Sequence, residues 1–318
     1  MSYLQTVVLP YADGEASDQS HYVAMYRGDL ENKEAPGNKW HKLRYHLLAA
    51  KAQKVSTIAT FGGPFSNHLH AFAATLESLP LNGVAVVRGE LQPSLTPTLR
   101  DMVDKGIELW PSSRADYRLG DAAEIVAQIN RLYGQVYWVP EGGGGVLGAQ
   151  GCRDWAASIQ AHCPDFDAWV VSSGTGTTAA GFLSHIDLSH SNLSHGNAPD
   201  LHVFSALKGE PRQRDEIVAI ARAVSSGEER NLSDRLFFYS DCHEGGYAKL
   251  NATVRRFLCD FARMNPAIPL DPIYTSKAMF TVSQLISAGH WPYKRTLFIH
   301  TGGMQGWRGY AKHFNPFF

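Results

Sequence analysis

The stretch "APGNKWHKLRYHLL" (35–48) places a lysine, Lys39, directly after a Pro-Gly-Asn turn and at the start of a predicted helix. At about 100° per residue this helix has one apolar stripe, formed by Trp40, Leu43, Leu47 and Ala50. Lys39 lies at the edge of that stripe, whereas Lys42 is predicted to point further from it. A lysine directed inwards must be paired, deprotonated or covalently used, because burying a bare ammonium is very unfavourable. Taken alone, the segment favours a lysine that extends into solvent, so other segments must decide.

A turn rich in hydroxyl groups follows a predicted apolar strand, in "SSGTGTTAAG" (172–181). The residues that could hold a phosphate are Thr175, Gly176, Thr177 and Thr178. Their backbone N–H groups and hydroxyls would lie at the positive end of the next helix, which favours anion binding there. The turn fits neither the dinucleotide fingerprint nor the P-loop. A threonine that only caps the helix is the structural alternative.

A second turn of this kind, "TFGGPFSNHLHAFAA" (60–74), carries Ser66 and Asn67. Either residue is suited to cap the following helix, but capping does not explain the preceding Gly62-Gly63-Pro64. Those residues indicate backbone that approaches a ligand closely. A histidine at such a position is more often a surface or core residue than a catalyst, and His68 is kept as a candidate substrate-binding residue.

The third pair of segments is "DPIYTSKAMF" (271–280) and "HTGG" (300–303). Asp271 and Pro272 are typical of a turn, and Tyr274 and Thr275 fall where the next helix should begin, so capping again is the structural explanation. Gly302, after a buried strand, is consistent with a loop that approaches another group closely. An inward lysine, a phosphate turn and converging loops together suggest pyridoxal 5′-phosphate, because that cofactor needs a lysine amine, a phosphate site and a group at its ring nitrogen.

The elements that must position these residues alternate along the chain. Short apolar, β-branched runs predict strands at 56–61, 83–89, 107–112, 135–141, 168–174, 201–207, 235–240 and 295–303, each with a helical pattern nearby. This alternation is typical of parallel sheets covered on both faces, and ligand sites in such folds lie at the carboxyl ends of the strands. This is more βα units than a single sheet usually contains, so we expect two α/β lobes. The glycine-rich segment 141–148 is the predicted connection from one lobe back to the other.

Composition excludes several classes of function. The 318 residues include 29 basic and 30 acidic side chains, which gives no electrostatic case for nucleic acid or an anionic membrane. Four scattered cysteines without CxxC spacing indicate reduced thiols, and no signal peptide is recognisable, so we expect a cytoplasmic protein. The tract 183–200 repeats Leu-Ser-His every five residues, a period that suits neither a helix face nor a metal site, and it is predicted to be an exposed loop.

From about Tyr26 to Tyr310 the chain resembles the 1-aminocyclopropane-1-carboxylate (ACC) deaminase and D-cysteine desulfhydrase family of pyridoxal-phosphate enzymes. "GNKWHKLRY", "GGPFSNH", "SSGTGTTAAG", "EGGYAKLN", "DPIYTSKAM" and "HTGG" follow the order of that family's motifs. The resemblance implies that the cofactor is held by Lys39, with Asn67 against its ring, the phosphate at the turn 175–178, and Thr275 and Gly302 near the ring. It also implies that the catalytic and substrate-binding residues are Lys39, Ser66, Asn67, His68, Tyr247 and Tyr274.

The same resemblance implies an α/β fold of two domains, each a three-layer α/β/α sandwich, known as fold-type II or tryptophan synthase beta-like. We expect the cofactor in the cleft between a larger domain, 1–42 plus 147–318, and a smaller domain, 43–146. It further implies a homodimer that acts on a small amino acid.

Three positions depart from the family's pattern. His41 stands where arginine is usual, Ser276 replaces a glycine, and "YRGDL" (26–30) is a weaker version of an Arg-Asp-Asp strand. Thr275 replaces the acidic residue that faces the pyridine nitrogen in enzymes that open the cyclopropane ring. A neutral hydroxyl favours a weaker electron sink, which suffices for β-elimination from a substrate such as D-cysteine, giving pyruvate, ammonia and sulfide. ACC deamination to 2-oxobutanoate, a racemase or dehydratase activity, and a catalytically impaired cofactor-binding protein are the alternatives.

Overall fold

The computed structural model describes residues 3–10, 21–91, 94–190, 198–208, 212–225, 232–310 and 314–317. The strands of this part are β1 (Leu4–Thr6), β2 (Tyr22–Tyr26), β3 (Thr57–Gly62), β4 (Asn82–Arg88), β5 (Glu108–Ser112), β6 (Val136–Val139), β7 (Ala168–Ser173), β8 (Asp200–Ser205), β9 (Leu236–Tyr239) and β10 (Arg295–Ile299). The helices are α1 (Asn38–Ala52), α2 (Asn67–Leu76), α3 (Pro97–Asp104), α4 (Arg114–Tyr117), α5 (Glu124–Tyr133), α6 (Gly145–His162), α7 (Thr177–His190), α8 (Gln213–Val224), α9 (Ala252–Met264) and α10 (Thr275–Ser287). All eight strands predicted from the sequence are therefore confirmed.

The strands form two sheets, as the number of βα units predicts. The six-stranded sheet has the order β1-β2-β10-β7-β8-β9, and all its neighbours are parallel except β1 and β2. The four-stranded sheet has the order β5-β4-β3-β6 and is parallel throughout. Parallel strands place all their carboxyl ends at one edge of each sheet, and the candidate site turns follow β3, β7 and β10 at those edges.

Helices cover both faces of each sheet, which gives each unit three layers. In the larger sheet, neighbouring strand residues alternate between faces: Trp169 packs with α6, α7 and α8, whereas Val170 packs with α9 and α10. In the smaller sheet Ile58 packs with α1, α2 and α3, and Ala59 packs with α4 and α5. The continuous apolar character of the strands follows from this burial on both faces.

Two predictions about the chain path are wrong. β2 ends at Tyr26 and residues 28–30 form a 3-10 turn, so 26–30 is not a strand. The tract 183–200 is not an exposed loop at its start, because α7 continues to His190 and buries Leu183 and Ile186 against the helix layer. His195 and the rest of 191–197 lie outside the described residues.

The two predicted domain boundaries fall inside helices, 42/43 in α1 and 146/147 in α6. The division of the chain at those residues stays a prediction. All four cysteines are free thiols, as their spacing predicts. In the described part of the chain, no helix is long and apolar enough to cross a membrane, and no cluster of His, Cys, Asp and Glu could hold a metal ion.

Candidate active site

Lys39 occupies the first turn of α1, and its amine is tied to the turn that follows β7. Gly37 precedes the helix with φ of 81°, and a Cβ there would lie 2.1 Å from the carbonyl oxygen of Thr301, so this position requires glycine. Lys39 Nζ donates to Asn38 Oδ1 at 2.8 Å, and Asn38 Nδ2 donates to Thr178 Oγ1 at 2.8 Å. The amine thus lies two hydrogen bonds from the hydroxyl-rich turn rather than in open solvent.

Electrostatics favour a neutral amine at this position. Burial lowers the pKa of Lys39 to about 7, and the positive charge of Lys42 acts in the same direction. Near neutral pH a large fraction of the Lys39 side chains is therefore uncharged and nucleophilic, which is the state that imine chemistry requires.

Lys42 contradicts the helical-wheel prediction, because its side chain is only 3% exposed. α1 packs on both α2 and α6, and Lys42 shares the buried face with His46, one turn further on, whereas Trp40 is at the surface. The wheel assumed a single buried stripe. The ammonium of Lys42 makes no hydrogen bond or ion pair with any described residue, and burial lowers its pKa. The Lys42 amine is therefore available to bind an anionic oxygen beside Lys39.

Residues 174–178, here called the threonine turn, connect β7 to α7. Gly176 has φ of 79° and its N–H donates to Ser173 Oγ at 3.1 Å. Thr177 and Thr178 are buried, and Thr175 Oγ1 lies 3.3 Å from Thr177 Oγ1. The first backbone N–H groups of α7 have no partner within the helix, so this turn can accept an anionic oxygen cluster.

A glycine segment closes one side of the threonine turn. Gly142 has φ of 72°, and a Cβ there would be 3.2 Å from the Thr175 side chain. A Cβ on the next residue, Gly143, would lie 3.0 Å from Cβ of Lys42. The segment 141–148 therefore packs between α1 and the threonine turn, as its predicted position between two lobes suggests.

The sequence offered both Ser66 and Asn67 as caps of the following helix, and the structure gives that role to Ser66. Ser66 is the N-cap of α2, and its Oγ accepts from the N–H of Leu69 at 3.3 Å. Asn67 Oδ1 accepts from Gln305 Nε2 at 2.8 Å, and a Cβ on Gly303 would lie 2.7 Å from Asn67 Nδ2. The structure therefore brings Asn67 against the loop after β10, and Gln305 is a residue that the sequence motifs did not indicate.

Gly302 approaches backbone rather than a ligand. It has φ of 83°, and a Cβ there would lie 2.5 Å from the carbonyl oxygen of Pro36. The loop 300–303 thus supports the turn that precedes Lys39. Close approach at this glycine is confirmed, and its contact with a cofactor stays a prediction.

His68 is a buried histidine of α2 whose two ring nitrogens differ. Thr60 Oγ1 donates its single hydrogen to Val139 O at 2.9 Å, so His68 Nε2, 2.8 Å away, is the donor to Thr60. His68 Nδ1 is then an acceptor, and it has no hydrogen-bond partner. Burial holds the pKa of His68 well below its usual range, and the charges of Lys39 and Lys42 act in the same direction. His68 is therefore neutral, and it packs between Thr60 and Gly143 of the glycine segment.

Tyr274 and Tyr247 form a hydrogen-bonded pair above the threonine turn. Tyr274 Oη donates to Tyr247 Oη at 3.2 Å, and the ring centroids are 6.0 Å apart. A Cβ on Gly174 would lie 3.1 Å from the Tyr274 ring, so this tyrosine lies directly on the turn. Burial raises the pKa of Tyr274 well above its usual range and also raises the pKa of Tyr247, so both phenols remain protonated donors at neutral pH.

Asp271 changes the interpretation of Thr275. Its carboxylate, fully buried, caps α10: Oδ1 accepts from the N–H groups of Ile273 and Tyr274, both at 2.9 Å, and Oδ2 accepts from Thr275 N at 2.7 Å. Thr275 Oγ1 donates to Asp271 Oδ2 at 2.6 Å. The Thr275 hydroxyl thus gives its hydrogen to a carboxylate, so the site holds a buried negative group that the sequence assigned only to a turn. None of the residues 274–276 caps the helix.

The tyrosine loop, residues 240–250, carries Tyr247 and is fastened by Lys277 of α10. Lys277 Nζ donates to the carbonyl oxygens of His243 and Gly246, both at 2.8 Å, and the side chain is 1% exposed. Burial lowers the pKa of Lys277 to about 8. The sequence motif contained this lysine but offered no role for it, because its partners are carbonyl groups 31 and 34 residues away.

Two of the three departures from the family's pattern, His41 and Ser276, have different surroundings. His41 Nε2 lies 2.7 Å from Glu31 Oε2, and its ring stacks on Trp155 with centroids 4.5 Å apart. Ser276 is fully buried and its Oγ has no hydrogen-bond partner.

The chain is similar in sequence and in fold to several known proteins. A Thermotoga maritima protein, provisionally named 1-aminocyclopropane-1-carboxylate deaminase, is 30% identical over 292 residues, 89% of each chain. A Klebsiella pneumoniae protein named D-cysteine desulfhydrase is 26% identical and matches 92% of this chain and 89% of its own length. A solved structure of an ACC deaminase homologue has a TM-score of 0.82 at 24% identity, with 97% of this chain and 91% of that chain covered. No protein-family model matches the chain.

Proposed function

Because this chain belongs to the ACC deaminase and D-cysteine desulfhydrase family, we propose that it uses pyridoxal 5′-phosphate to break down a small amino acid by elimination and deamination. The preferred substrate in this proposal is D-cysteine, with pyruvate, ammonia and hydrogen sulfide as products. One observation carries the proposal: the hydrogen-bonded path from Lys39 Nζ through Asn38 to Thr178, which joins an amine of lowered pKa to an anion-binding turn.

The residues present fit this cofactor. The threonine turn and the N-terminus of α7 suit its phosphate, and the Lys42 amine, which packs on the same glycine segment as Thr175, can donate to an anionic oxygen there. Lys39 supplies the amine that attaches the aldehyde carbon, and Asn67 supplies a side chain to lie against the ring. When bound, the cofactor withdraws electrons from Cα of the amino acid.

The chain's own residues then have distinct tasks. Lys39 Nζ, neutral for much of the time near pH 7, takes the proton from Cα, and the Ser66 hydroxyl can share that step. The phenols of Tyr247 and Tyr274 keep their protons because their pKa values are raised. Tyr274 donates its hydrogen to Tyr247, so Tyr247 is the phenol left free to donate to the departing group, and Tyr274 orients it. Lys42 and the threonine turn hold the phosphate end in place.

The contrast between Thr275 and Asp271 bears on the reaction type. A neutral hydroxyl at 275 supports β-elimination, because loss of a thiolate after α-proton removal needs only a modest electron sink. Ring opening of ACC is the second candidate, and the Asp271 carboxylate favours it, because it lies one hydrogen bond behind Thr275 and could act through that hydroxyl. The names of the two curated relatives divide in the same way.

Product analysis separates these reactions. We expect the purified holoenzyme to release sulfide and pyruvate in equal amounts from D-cysteine, and little 2-oxobutanoate from ACC. The reverse pattern would select ring opening. A yellow protein that binds both amino acids but releases no ammonia would select an impaired cofactor-binding protein.

Substitution of the lysine tests the assignment of the amine. Lys39→Ala should remove the visible absorbance of the bound cofactor and lower activity by about 1,000-fold or more, because both attachment and proton removal are lost. Lys51→Ala, an exposed lysine of the same helix, is the matched control and should keep both. A retained absorbance band in the Lys39 variant contradicts the assignment.

We also propose a homodimer and a cytoplasmic location. The family resemblance supports the first, and four free cysteines, three of them buried, are consistent with the second. Light scattering of the purified protein and fractionation of the source cells test these two points.

A further inference from the structure

Arg88 is a cation at the mouth of the site that the proposed reaction does not use. It is the last residue of β4, at the carboxyl edge of the smaller sheet, and its side chain is exposed. A Cβ on Gly63 would lie 3.4 Å from its terminal nitrogen. The guanidinium is therefore beside the turn that carries Ser66 and Asn67.

The Tyr117 ring restrains the position of this guanidinium. Its Cζ lies 5.8 Å from the centroid of the buried Tyr117 ring, a cation–π distance. Tyr117 Oη in turn donates to Glu141 Oε1 at 2.7 Å. Glu141 is thus engaged by the tyrosine, and Arg88 makes no ion pair with any residue that the structure describes.

The charge of Arg88 also reaches Tyr247. Burial is the main reason that the pKa of Tyr247 is raised, but the positive charge of Arg88 acts on this phenol in the opposite direction. Arg88 thus lies against the turn that carries Ser66 and near enough to Tyr247 for its charge to act there. A guanidinium stacked on an aromatic ring is weakly hydrated and presents a fork of donors suited to carboxylate, sulfonate, sulfate or phosphate oxygens.

We propose that Arg88 selects substrates whose β-substituent carries a negative charge, so that the natural substrate is an amino acid with a second anionic group. This inference rests on the proposed function. In this proposal the α-carboxylate is bound at the N-terminus of α2, where the first backbone N–H groups lie beside Ser66 and Asn67, and the exposed guanidinium is left for the far end of the substrate. The elimination chemistry of the proposed function is kept, and its preferred substrate changes from D-cysteine to an amino acid with a charged β-substituent.

The reaction is the same elimination and needs no further reagent. Cα loses its proton, the bond from Cβ to the substituent breaks, and the substituent leaves with the electron pair as sulfate, phosphate or sulfite; a β-carboxylate cannot leave in this way and is not such a substrate. The resulting 2-aminoacrylate takes up water and yields pyruvate and ammonia, so nothing is oxidised or reduced by an outside compound.

The test compares two substrates, serine O-sulfate and β-chloroalanine, each as both enantiomers. Their β-substituents differ in charge before departure, because O-sulfate is an anion and the chloro group is neutral. In Arg88→Met we expect kcat/KM for serine O-sulfate to fall about tenfold or more, mainly through KM, and kcat/KM for β-chloroalanine to change less than about twofold. Arg88→Lys should restore only part of the loss, because an ammonium lacks the fork. Arg118→Met, an exposed arginine of the same lobe, is the control and should leave both values unchanged.

Equal losses for the two substrates would overturn the inference, because they would place Arg88 at the α-carboxylate. No loss for either would also overturn it. If the unmodified holoenzyme turns over neither compound, the proposed function fails, and calorimetry decides the inference separately. Binding of serine O-sulfate about tenfold tighter than serine, lost in Arg88→Met, supports the anion site, and equal binding of the two compounds refutes it.

Discussion

The threonine turn and the tyrosine loop bound the same site, yet they are held by different means. The threonine turn follows β7, an interior strand of the larger sheet, and Gly176, Thr177 and Thr178 are buried in it. The tyrosine loop follows β9, the edge strand, and contains four residues with positive φ: Glu244, Gly245, Gly246 and Ala248. Glu244, Gly245 and Gly246 are consecutive, and a positive φ is strained at Glu244 because it is not glycine.

Under the proposed function, this difference would separate cofactor binding from substrate binding. Packing and helix backbone fix the cofactor side, whereas on the substrate side the hydrogen bonds of Lys277 and Tyr310 to loop carbonyl groups hold the tyrosine loop. We therefore expect substitutions on the loop side to impair turnover while the protein still binds cofactor. Substitutions on the turn side should first weaken the cofactor.

The largest effect within this comparison is expected from Lys277→Met. The variant removes two charge-assisted hydrogen bonds to loop carbonyl groups, and a displacement of about 1 Å in the Tyr247 phenol can lower catalysis by about 100-fold. We expect kcat/KM to fall by about that factor while the visible absorbance of bound cofactor is unchanged. Steady-state kinetics and the absorbance spectrum of the same sample measure both.

Lys249→Met is the matched control, since this exposed lysine lies in the same loop. It should keep full activity. Loss of cofactor absorbance in Lys277→Met, at normal melting temperature, would contradict the division of roles between the threonine turn and the tyrosine loop, because it would show that the loop also holds the cofactor.

On the turn side, the pKa of Lys39 predicts how fast the cofactor attaches. With a pKa of about 7, half of the amine is neutral at pH 7 and only about 1% at pH 5. The rate at which cofactor-free protein takes up pyridoxal phosphate should therefore fall about 50-fold between those pH values and level off above about pH 8. Stopped-flow absorbance measures this rate.

The amino acid N-acetyl-lysine provides the reference, because a free lysine has a pKa of about 10.4 and its rate should rise about tenfold per pH unit throughout. A protein rate that still climbs at pH 9 would mean that Lys39 is an ordinary solvated amine.

A smaller effect is expected from Asn38→Ala, which breaks the bridge between Lys39 Nζ and Thr178 Oγ1. Removing one partner of a buried hydrogen bond costs about 1–3 kcal/mol, so the cofactor dissociation constant should rise about tenfold. At saturating cofactor, kcat should change little. Absorbance titration gives the constant, with Asn82→Ala, an exposed asparagine at the start of β4, as the control. A large fall in kcat with unchanged cofactor affinity would reverse the assignment of the two sides.

The sequence predicts these two sides unequally, and the reason is physical. Local signals are sufficient for the threonine turn: a buried strand, glycine and hydroxyl residues and a helix start are neighbours in the chain. They are also sufficient for Ser66 as a helix cap. The tyrosine loop depends on Lys277 and Tyr310, whose partners are tens of residues away, and no periodicity encodes that contact.

Burial on two sides explains the other failures. The helical wheel placed Lys42 outward because it allowed α1 one packed face, but α1 is covered by α2 and α6. Asp271 looked like a simple turn residue because an Asp-Pro pair gives no sign that its carboxylate will be fully buried and bonded to Thr275.

The smallest effect is expected from Tyr310→Phe. Tyr310 Oη donates to the carbonyl oxygen of Ala248, next to Tyr247, and burial raises its pKa to about 12, so the phenol stays a donor. A single neutral hydrogen bond contributes about 0.5–1.5 kcal/mol, so kcat/KM should fall about two- to tenfold, less than in Lys277→Met. Tyr45→Phe is the control. The Tyr45 hydroxyl donates to Asp154 at 2.7 Å and is not part of this loop. If Tyr310→Phe were as damaging as Lys277→Met, the loop would depend on both contacts jointly, and the ammonium of Lys277 would not be the dominant anchor.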